Sequence, residues 1–333
     1  MMRALQARSL EGPDALELVE LDEPPAEHPM SPGAGVLIDV HAAGVSFPDV
    51  LQLRGEYQFR AEPPYVPGGE VAGVVREAAG ADGLAPGDRV AAMTFLGAFA
   101  EVAVAPPAFA FPLPDELDFA QGAALVMNYH TAWFALALRG RLEEGETVLV
   151  HGAAGGVGTA ALQVARGLGA RTIAVVSSDA KERVARAAGA EEVVRSTGPW
   201  REEAKELTGG RGVDVVFDPV GGDRFTDSLR ALAVDGRALV VGFAEGSIPQ
   251  VKVNRLLLNN VAVVGAGWGG YVLARPDAER RIARAVDGLV RAGAIRPLVG
   301  ARFPLERGAD ALRLIDQRGA TGKVVLEVRA SET

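Results

Sequence analysis

The chain of 333 residues is long enough for about two domains, each with its own core. It contains no cysteine, which excludes disulfides, thiolate zinc sites, iron–sulfur clusters and cysteine nucleophiles together. Its 34 Lys and Arg against 43 Asp and Glu give a formal charge of −9, a poor match to nucleic acid or an anionic membrane. The first 25 residues are charged and lack the apolar core of a signal peptide, so a soluble, cytoplasmic protein is expected.

Residues 1–122 are rich in Gly and Pro. Short apolar runs at 36–41, 71–75, 89–93 and 100–105 alternate with turn signals such as Pro67-Gly68-Gly69 and Pro86-Gly87-Asp88. Many short strands with such punctuation predict a β-rich, barrel-like unit. The charge-free run 119–138 has about membrane length but carries Gln121, Gly122, Asn128, His130 and Thr131, so a buried helix is expected there. Strand and helix patterns then alternate. Strands are predicted at 147–151, 172–176, 193–194, 213–217 and 237–241, and helices at 159–168 and 180–188. That alternation reads as βαβ units on a parallel sheet. Apolar positions at helical spacing mark two more helices, around Ile282–Val290 and Ala311–Ile315, and 323–328 reads as a closing strand. The domain of alternating strands and helices, 123–265, is read as an insertion between the two parts of the β-rich domain, 1–122 and 266–333.

The sharpest local signal is the strand Val148-Leu149-Val150 running into His151-Gly152-Ala153-Ala154-Gly155-Gly156-Val157-Gly158. The spacing Ala153-x-Gly155-x-x-Gly158 is a dinucleotide fingerprint with Ala in first place. Such glycines permit the tight turn, let backbone approach a pyrophosphate and let the helix sit close to the strand. The helix N-terminus then offers N–H groups and partial positive charge. Ala154, Gly155, Gly156, Val157 and Gly158 are therefore cofactor-binding candidates. At the end of the second strand, where an NAD site places Asp or Glu, stand Ser177 and Ser178, followed by Lys181. Hydroxyls and a cation suit a 2′-phosphate, so NADPH is the expected cofactor. A register two residues longer would instead make Asp179 a ribose ligand, and Lys181 and Arg183 also read as solvated helix charges.

Further markers carry a family resemblance. They are 41–49 (HAAGVSFPD), 67–73 (PGGEVAG), 87–90 (GDRV), 128–132 (NYHTA), the loop 151–158, 217–222 (FDPVGG), 241–244 (VGFA) and 322–326 (GKVVL). Together they resemble the zinc-free quinone oxidoreductases of the medium-chain dehydrogenase/reductase superfamily, the group that includes zeta-crystallin, over nearly the whole chain. The resemblance implies an α/β fold: a GroES-like β-rich catalytic domain with an inserted Rossmann-type, doubly wound parallel-sheet domain, and an active site in the cleft between them. Zinc-dependent relatives use a Cys and a His where Ser46 and Gly69 stand here. Four scattered histidines cannot supply the convergent ligands zinc needs, so no metal is expected.

The resemblance implies hydride delivery from NADPH to an electrophile, with protein donors stabilising the developing oxyanion. Tyr57, Asn128 and Ser46 are the catalytic candidates. Tyr57 also reads as a half-exposed loop residue, and Asn128 as a helix cap or buttress. The family often has Asn where Ser46 stands and Tyr where Leu51 stands. The resemblance also implies cofactor contacts from Thr131, from Arg195 or Ser196 at the adenosine end, and from Val220, Gly242, Phe243, Ala244, Ala266, Gly267 and Trp268 around the nicotinamide. Trp268 has a second reading, as dimer core, because the run 261–264 resembles an interface strand of this family. A homodimer is expected. The leading function is quinone reduction. The alternatives are reduction of a conjugated carbonyl (enal, enone or enoyl-CoA) and a non-catalytic NADPH-binding role.

Overall fold

The computed structural model describes residues 1–329. Its chain divides into two units, Met1–Met127 with Pro297–Thr333, and Asn128–Arg296. In chain order the first unit has strands β1 (Met2–Ala7), β2 (Leu16–Leu21) and β3 (Gly35–Val45), helix α1 (Phe47–Leu53), strands β4 (Glu70–Ala79), β5 (Arg89–Met93), β6 (Val102–Ala105) and β7 (Ala110–Pro112), and helix α2 (Phe119–Gly122). The second unit has α3 (Thr131–Trp133), β8 (Thr147–Val150), α4 (Gly156–Gly167), β9 (Arg171–Val176), α5 (Asp179–Ala187), β10 (Glu192–Arg195), α6 (Trp200–Glu206), β11 (Val213–Asp218), α7 (Phe225–Ala231), β12 (Leu232–Val240), α8 (Asn254–Asn259), β13 (Ala262–Gly265), α9 (Trp268–Ala274) and α10 (Pro276–Arg291). The chain returns to the first unit with β14 (Val299–Pro304), α11 (Gly308–Asp316) and β15 (Lys323–Glu327).

The first unit is built on a seven-stranded sheet in the order β14-β15-β3-β4-β5-β7, with β6 also paired to β3. Every pairing is antiparallel except β14 with β15. Apolar residues from β3, β4, β5 and β15 fill one core, among them Val36, Ile38, Val71, Val90 and Leu326, joined by Phe99 from the loop before β6. A separate hairpin, β1 with β2, escapes the sequence reading. Its second strand has no fully buried residue and alternates Leu with Glu and Val, which gives little apolar signal.

The second unit carries a six-stranded, wholly parallel sheet in the order β10-β9-β8-β11-β12-β13. Counted from β8 this is 3-2-1-4-5-6, so the chain reverses direction of travel between β8 and β11. Ligands of such sheets bind at the carboxyl ends of the strands that flank this switch point. The strand β8 is buried at every position, as a sheet covered on both faces requires.

Two expectations change. The run 119–138 is helical but not one α-helix: α2 ends in a turn, and π-helical turns Val126–His130 and Phe134–Arg139 flank α3. A π-turn takes an extra residue per turn and rotates the following side chains. The chain passes between the units at 127/128 and 296/297, whereas the sequence reading sets the junctions at 122/123 and 265/266. α9 and α10 lie in the unit of the parallel sheet, where the Trp268 indole N–H donates to Glu279 of α10 and Glu279 also meets His130.

Candidate active site

The cofactor half begins where β8 ends. Gly152 has φ +58°, and Gly155, extended at φ −80° and ψ 175°, caps α4. The loop is closed by Gly155 N–H donating to the Gly152 carbonyl at 3.0 Å, and Thr159 N–H donates to the Gly155 carbonyl at 2.9 Å. A Cβ on Gly158 would stand 2.2 Å from the Gly152 carbonyl oxygen, so only glycine lets α4 approach the loop this closely. Gly155 differs: a Cβ there would meet only the Gly152 oxygen, at 3.4 Å. The outer face of the loop is thus an open cradle, at the N-terminus of a 12-residue helix with no acidic residue in its first turn. These features fit a pyrophosphate. Ala154 is buried and Val157 and Thr131 are half-buried. The Asn128 amide nitrogen lies 2.7 Å from the Cβ position of Gly156, so Asn128 buttresses the loop.

At the next strand, β9 ends at Val176, and the exposed Ser177 and Ser178 follow directly. Ser178 caps α5, accepting the Lys181 N–H at 3.3 Å, and Asp179 opens that helix. Arg195 closes β10 opposite Val176, and the Ser196 N–H donates to the Val176 carbonyl at 2.9 Å. The Arg195 guanidinium pairs with Asp179 at 2.6 Å and also with Glu182.

Beyond the switch point, Asp218 ends β11 and its Oδ1 accepts the N–H groups of Val220 (2.8 Å) and Gly221 (2.9 Å). Ala244 N–H donates to the Pro219 carbonyl, Gly242 N–H to the Asp218 carbonyl and Ala266 N–H to the Val240 carbonyl. The N–H groups of Val220, Gly242, Ala244 and Ala266 therefore shape this wall, while Phe243 and Gly267 are exposed. Trp268 is buried with its indole N–H donated to Glu279 Oε2 at 2.8 Å, and Glu279 Oε1 lies 2.5 Å from His130 Nδ1. Its polar edge is thus spent inside the unit. Burial pushes the His151 imidazole down to about 4, opposed by the Asp218 carboxylate and helped by Arg224. The ring is therefore neutral at physiological pH, its Nε2 2.9 Å from the Ser228 hydroxyl.

The first unit holds the other candidates. Ser46 caps α1, and its N–H donates to Asp49 Oδ2 at 2.7 Å. Lys323, at the start of β15, donates from Nζ to Ser46 Oγ at 2.7 Å and to Glu70 Oε2 at 2.7 Å. Glu70 Oε1 accepts the Met127 N–H at 2.8 Å. Lys323 and Glu70 are 3% and 0% exposed, a buried ion pair with both carboxylate oxygens hydrogen-bonded. Around Gly69, a Cβ would meet the methyl groups of Met93 (3.3 Å) and Met127 (3.4 Å). Tyr57 is half-buried, and burial with the nearby Asp49 pushes its phenol up, partly opposed by Gln58, so it stays an O–H donor. The sequence reading missed Lys323, Glu70 and Asp49 as site residues. The Ser46-x-x-Asp49 spacing is a capping signal, and a lone Lys heading an apolar strand was the other available sign.

Residues 32–115 match the alcohol dehydrogenase GroES-like domain, and 156–286 match the domain described as zinc-binding dehydrogenase. A quinone oxidoreductase-like protein 2 from Bos taurus is 40% identical over 88% of this chain and 85% of its own length. The chain belongs to the quinone oxidoreductase family of the medium-chain dehydrogenase/reductase superfamily. A probable oxidoreductase from Mycobacterium abscessus has 45% identity and a TM-score of 0.89, covering 98% of this chain and 99% of the other. A mycobacterial protein solved in complex with NADPH has 31% identity and a TM-score of 0.89, covering 98% and 100%. The fold of this family member is thus the GroES-like domain with an inserted Rossmann-type domain. Among the described residues no group of three or more His, Cys, Asp or Glu is arranged to hold a metal ion.

Burial pushes Asp49 up to about 7, with Glu70 adding to the rise, while the Ser46 N–H and Lys323 oppose it. An ordinary aspartate ionises near 4. Folding therefore takes up a proton between about pH 4 and about pH 7, and this group's contribution to stability falls as pH rises through that window. Asp49→Asn removes the titration. The stability of wild type minus variant, measured by urea unfolding, should decline by at most about 1.4 kcal/mol per pH unit across the window and be flat outside it. A difference independent of pH would mean that Asp49 titrates normally.

Proposed function

We propose that this oxidoreductase uses NADPH to reduce a quinone, in the cytoplasm and without zinc. The observation that carries the cofactor assignment is the open Gly155 face at the N-terminus of α4, joined to the hydroxyl-bearing strand end at Ser177 and Ser178. The NADPH complex of a relative with the same fold supports it. Gly155, Gly156, Val157 and Gly158 would hold the pyrophosphate, and Ser177, Ser178 and Lys181 the 2′-phosphate. NADPH, when bound, supplies a hydride from its nicotinamide. The acceptor takes that hydride and one proton to become a hydroquinone. Ser46 and Tyr57 are the O–H donors we assign to the acceptor oxygen, where negative charge develops. Lys323 occupies an acceptor lone pair of Ser46 Oγ and so leaves the serine proton to point elsewhere. The names of the curated relatives support a quinone as the acceptor.

Zinc independence rests on the donor set. Gly69 brings no ligand atom, and the chain has no thiolate to offer. Glu70 is committed to Lys323 and Met127, and the Lys323 ammonium at Ser46 supplies the positive charge a cation would bring. A panel of benzoquinone, phenanthrenequinone, alkenals and crotonyl-CoA, each with NADPH and NADH, tests the reading. Quinone-dependent NADPH oxidation should be fastest and should survive exhaustive chelation. A preference for alkenals or crotonyl-CoA would move the acceptor to conjugated carbonyls. Binding without turnover would mean a non-catalytic protein, and loss of turnover restored by zinc would contradict the metal assignment.

We also infer a homodimer. β13 ends the parallel sheet with one side unpaired, and Val263 is 38% exposed on it. Ile248, Val253, Leu257 and Leu258, which precede it in the chain, are each about three-quarters exposed. An apolar edge strand is a ready template for pairing with a second copy. Light scattering should give twice the chain mass, and Val263→Lys should shift it towards the monomer. A monomeric wild type at micromolar concentration would refute the assignment.

A further inference from the structure

The strand end proposed to read the cofactor contains a contradiction. Asp179 follows Ser177 and Ser178 directly, 21 residues after the last loop glycine, Gly158. A carboxylate about 20 residues on is the device by which dinucleotide sites hold the ribose hydroxyls of NAD. Beside a 2′-phosphate, which carries up to two negative charges, the same carboxylate is repulsive. Glu182 stands one turn further along α5, so two carboxylates face this end of the sheet.

Arg195 resolves the conflict. It is the last residue of β10, the strand adjacent to β9, and its register partner is Val176. One guanidinium nitrogen, Nη2, reaches both Asp179 and Glu182. The Asp179 side chain is 87% exposed while those of Arg195 and Glu182 are 33% and 27% exposed. The partially buried cation therefore comes out to an exposed acid that water alone would solvate. An exposed ion pair of this kind adds little to stability. Its effect on the local field is larger, because it cancels a charge beside the expected phosphate.

We infer that Arg195 is a specificity-determining residue that acts as a charge mask: it offsets the charge of Asp179, while Arg186 pairs with Glu182, and so makes the strand end tolerant of NADPH, with Ser177, Ser178 and Lys181 making the phosphate contacts. This inference rests on the NADPH reading above. It assigns Arg195 a different role from that of a phosphate ligand, and it explains how an acid at the NAD position coexists with an NADPH site.

The test is fluorescence titration of NADPH and NADH against wild type, Arg195→Gln, Arg195→Lys, Asp179→Asn and the double variant Arg195→Gln/Asp179→Asn. Two like charges several ångströms apart in a largely aqueous site repel enough to change affinity by about threefold to tenfold at low salt, and less at high salt. Arg195→Gln should weaken NADPH by that factor while leaving NADH nearly unchanged. Adding Asp179→Asn should recover most of the loss, and Arg195→Lys should retain the preference for NADPH. If the double variant stays as weak as Arg195→Gln, the arginine is itself a phosphate ligand and the mask is refuted. Equal weakening of both cofactors by Arg195→Gln also overturns it, because the residue then supports the fold. A wild type without preference for NADPH overturns the underlying reading, and the inference with it, before any variant is measured.

Discussion

The nucleotide unit depends on one close approach between a helix and a loop. The space that a side chain at Gly158 would need is filled by the Gly152 carbonyl oxygen, 2.2 Å from the position of a Cβ. Because that space is unneeded, α4 packs directly onto the turn that leaves β8, and its N-terminal N–H groups lie at the carboxyl end of the sheet. The strand order makes this end the switch point, with β8 and β11 as neighbours. Asn128, delivered by a π-turn, lies against Gly156 and braces the same loop. On the outer side of the same sheet, the pairing of β9 with β10 brings Arg195 beside Asp179.

The first unit is organised by a buried charge instead. Lys323 and Glu70 come from β15 and β4, which flank β3 on either side. Removing two charges from water costs several kcal/mol each, so such a pair persists only where its remaining hydrogen bonds are satisfied. Here Ser46 accepts a second hydrogen bond from Lys323 and the Met127 N–H donates to the second oxygen of Glu70. The same geometry orients the Ser46 hydroxyl and holds α1 in place through Asp49. A requirement of folding and the hydroxyl proposed to serve the acceptor thus meet in one cluster.

The two units differ in how much of them the sequence makes legible. Strands such as β5 and β9 are short apolar runs closed by turn residues, and the structure bounds them within a residue of the reading. The glycine loop is legible because its physics is local: strand, turn and helix are contiguous. The β1–β2 hairpin is hidden by exposed, charged positions, and the run 119–138 conceals its π-turns because hydrophobic periodicity does not distinguish them from an α-helix. The cluster of Ser46, Glu70 and Lys323 spans 277 residues of chain, so no window on the sequence brings its members together. The ion pair of Asp179 and Arg195 is closer in sequence, at 16 residues, yet it depends on the pairing of two strands. Side-chain type was visible in both cases, and partnership was not.

The glycine loop is proposed to bind a dinucleotide as well as to close a turn. Gly155→Val tests it most directly, because Gly155 already has an extended conformation that valine adopts readily and its Cβ position has no close neighbour. Titration of the folded variant with NADPH, alongside a thermal melt, separates the two roles. Melting close to that of wild type with NADPH affinity reduced at least tenfold is the predicted result, since the side chain would fill the cradle at the helix N-terminus. Undiminished affinity in a variant that melts like wild type would contradict the account.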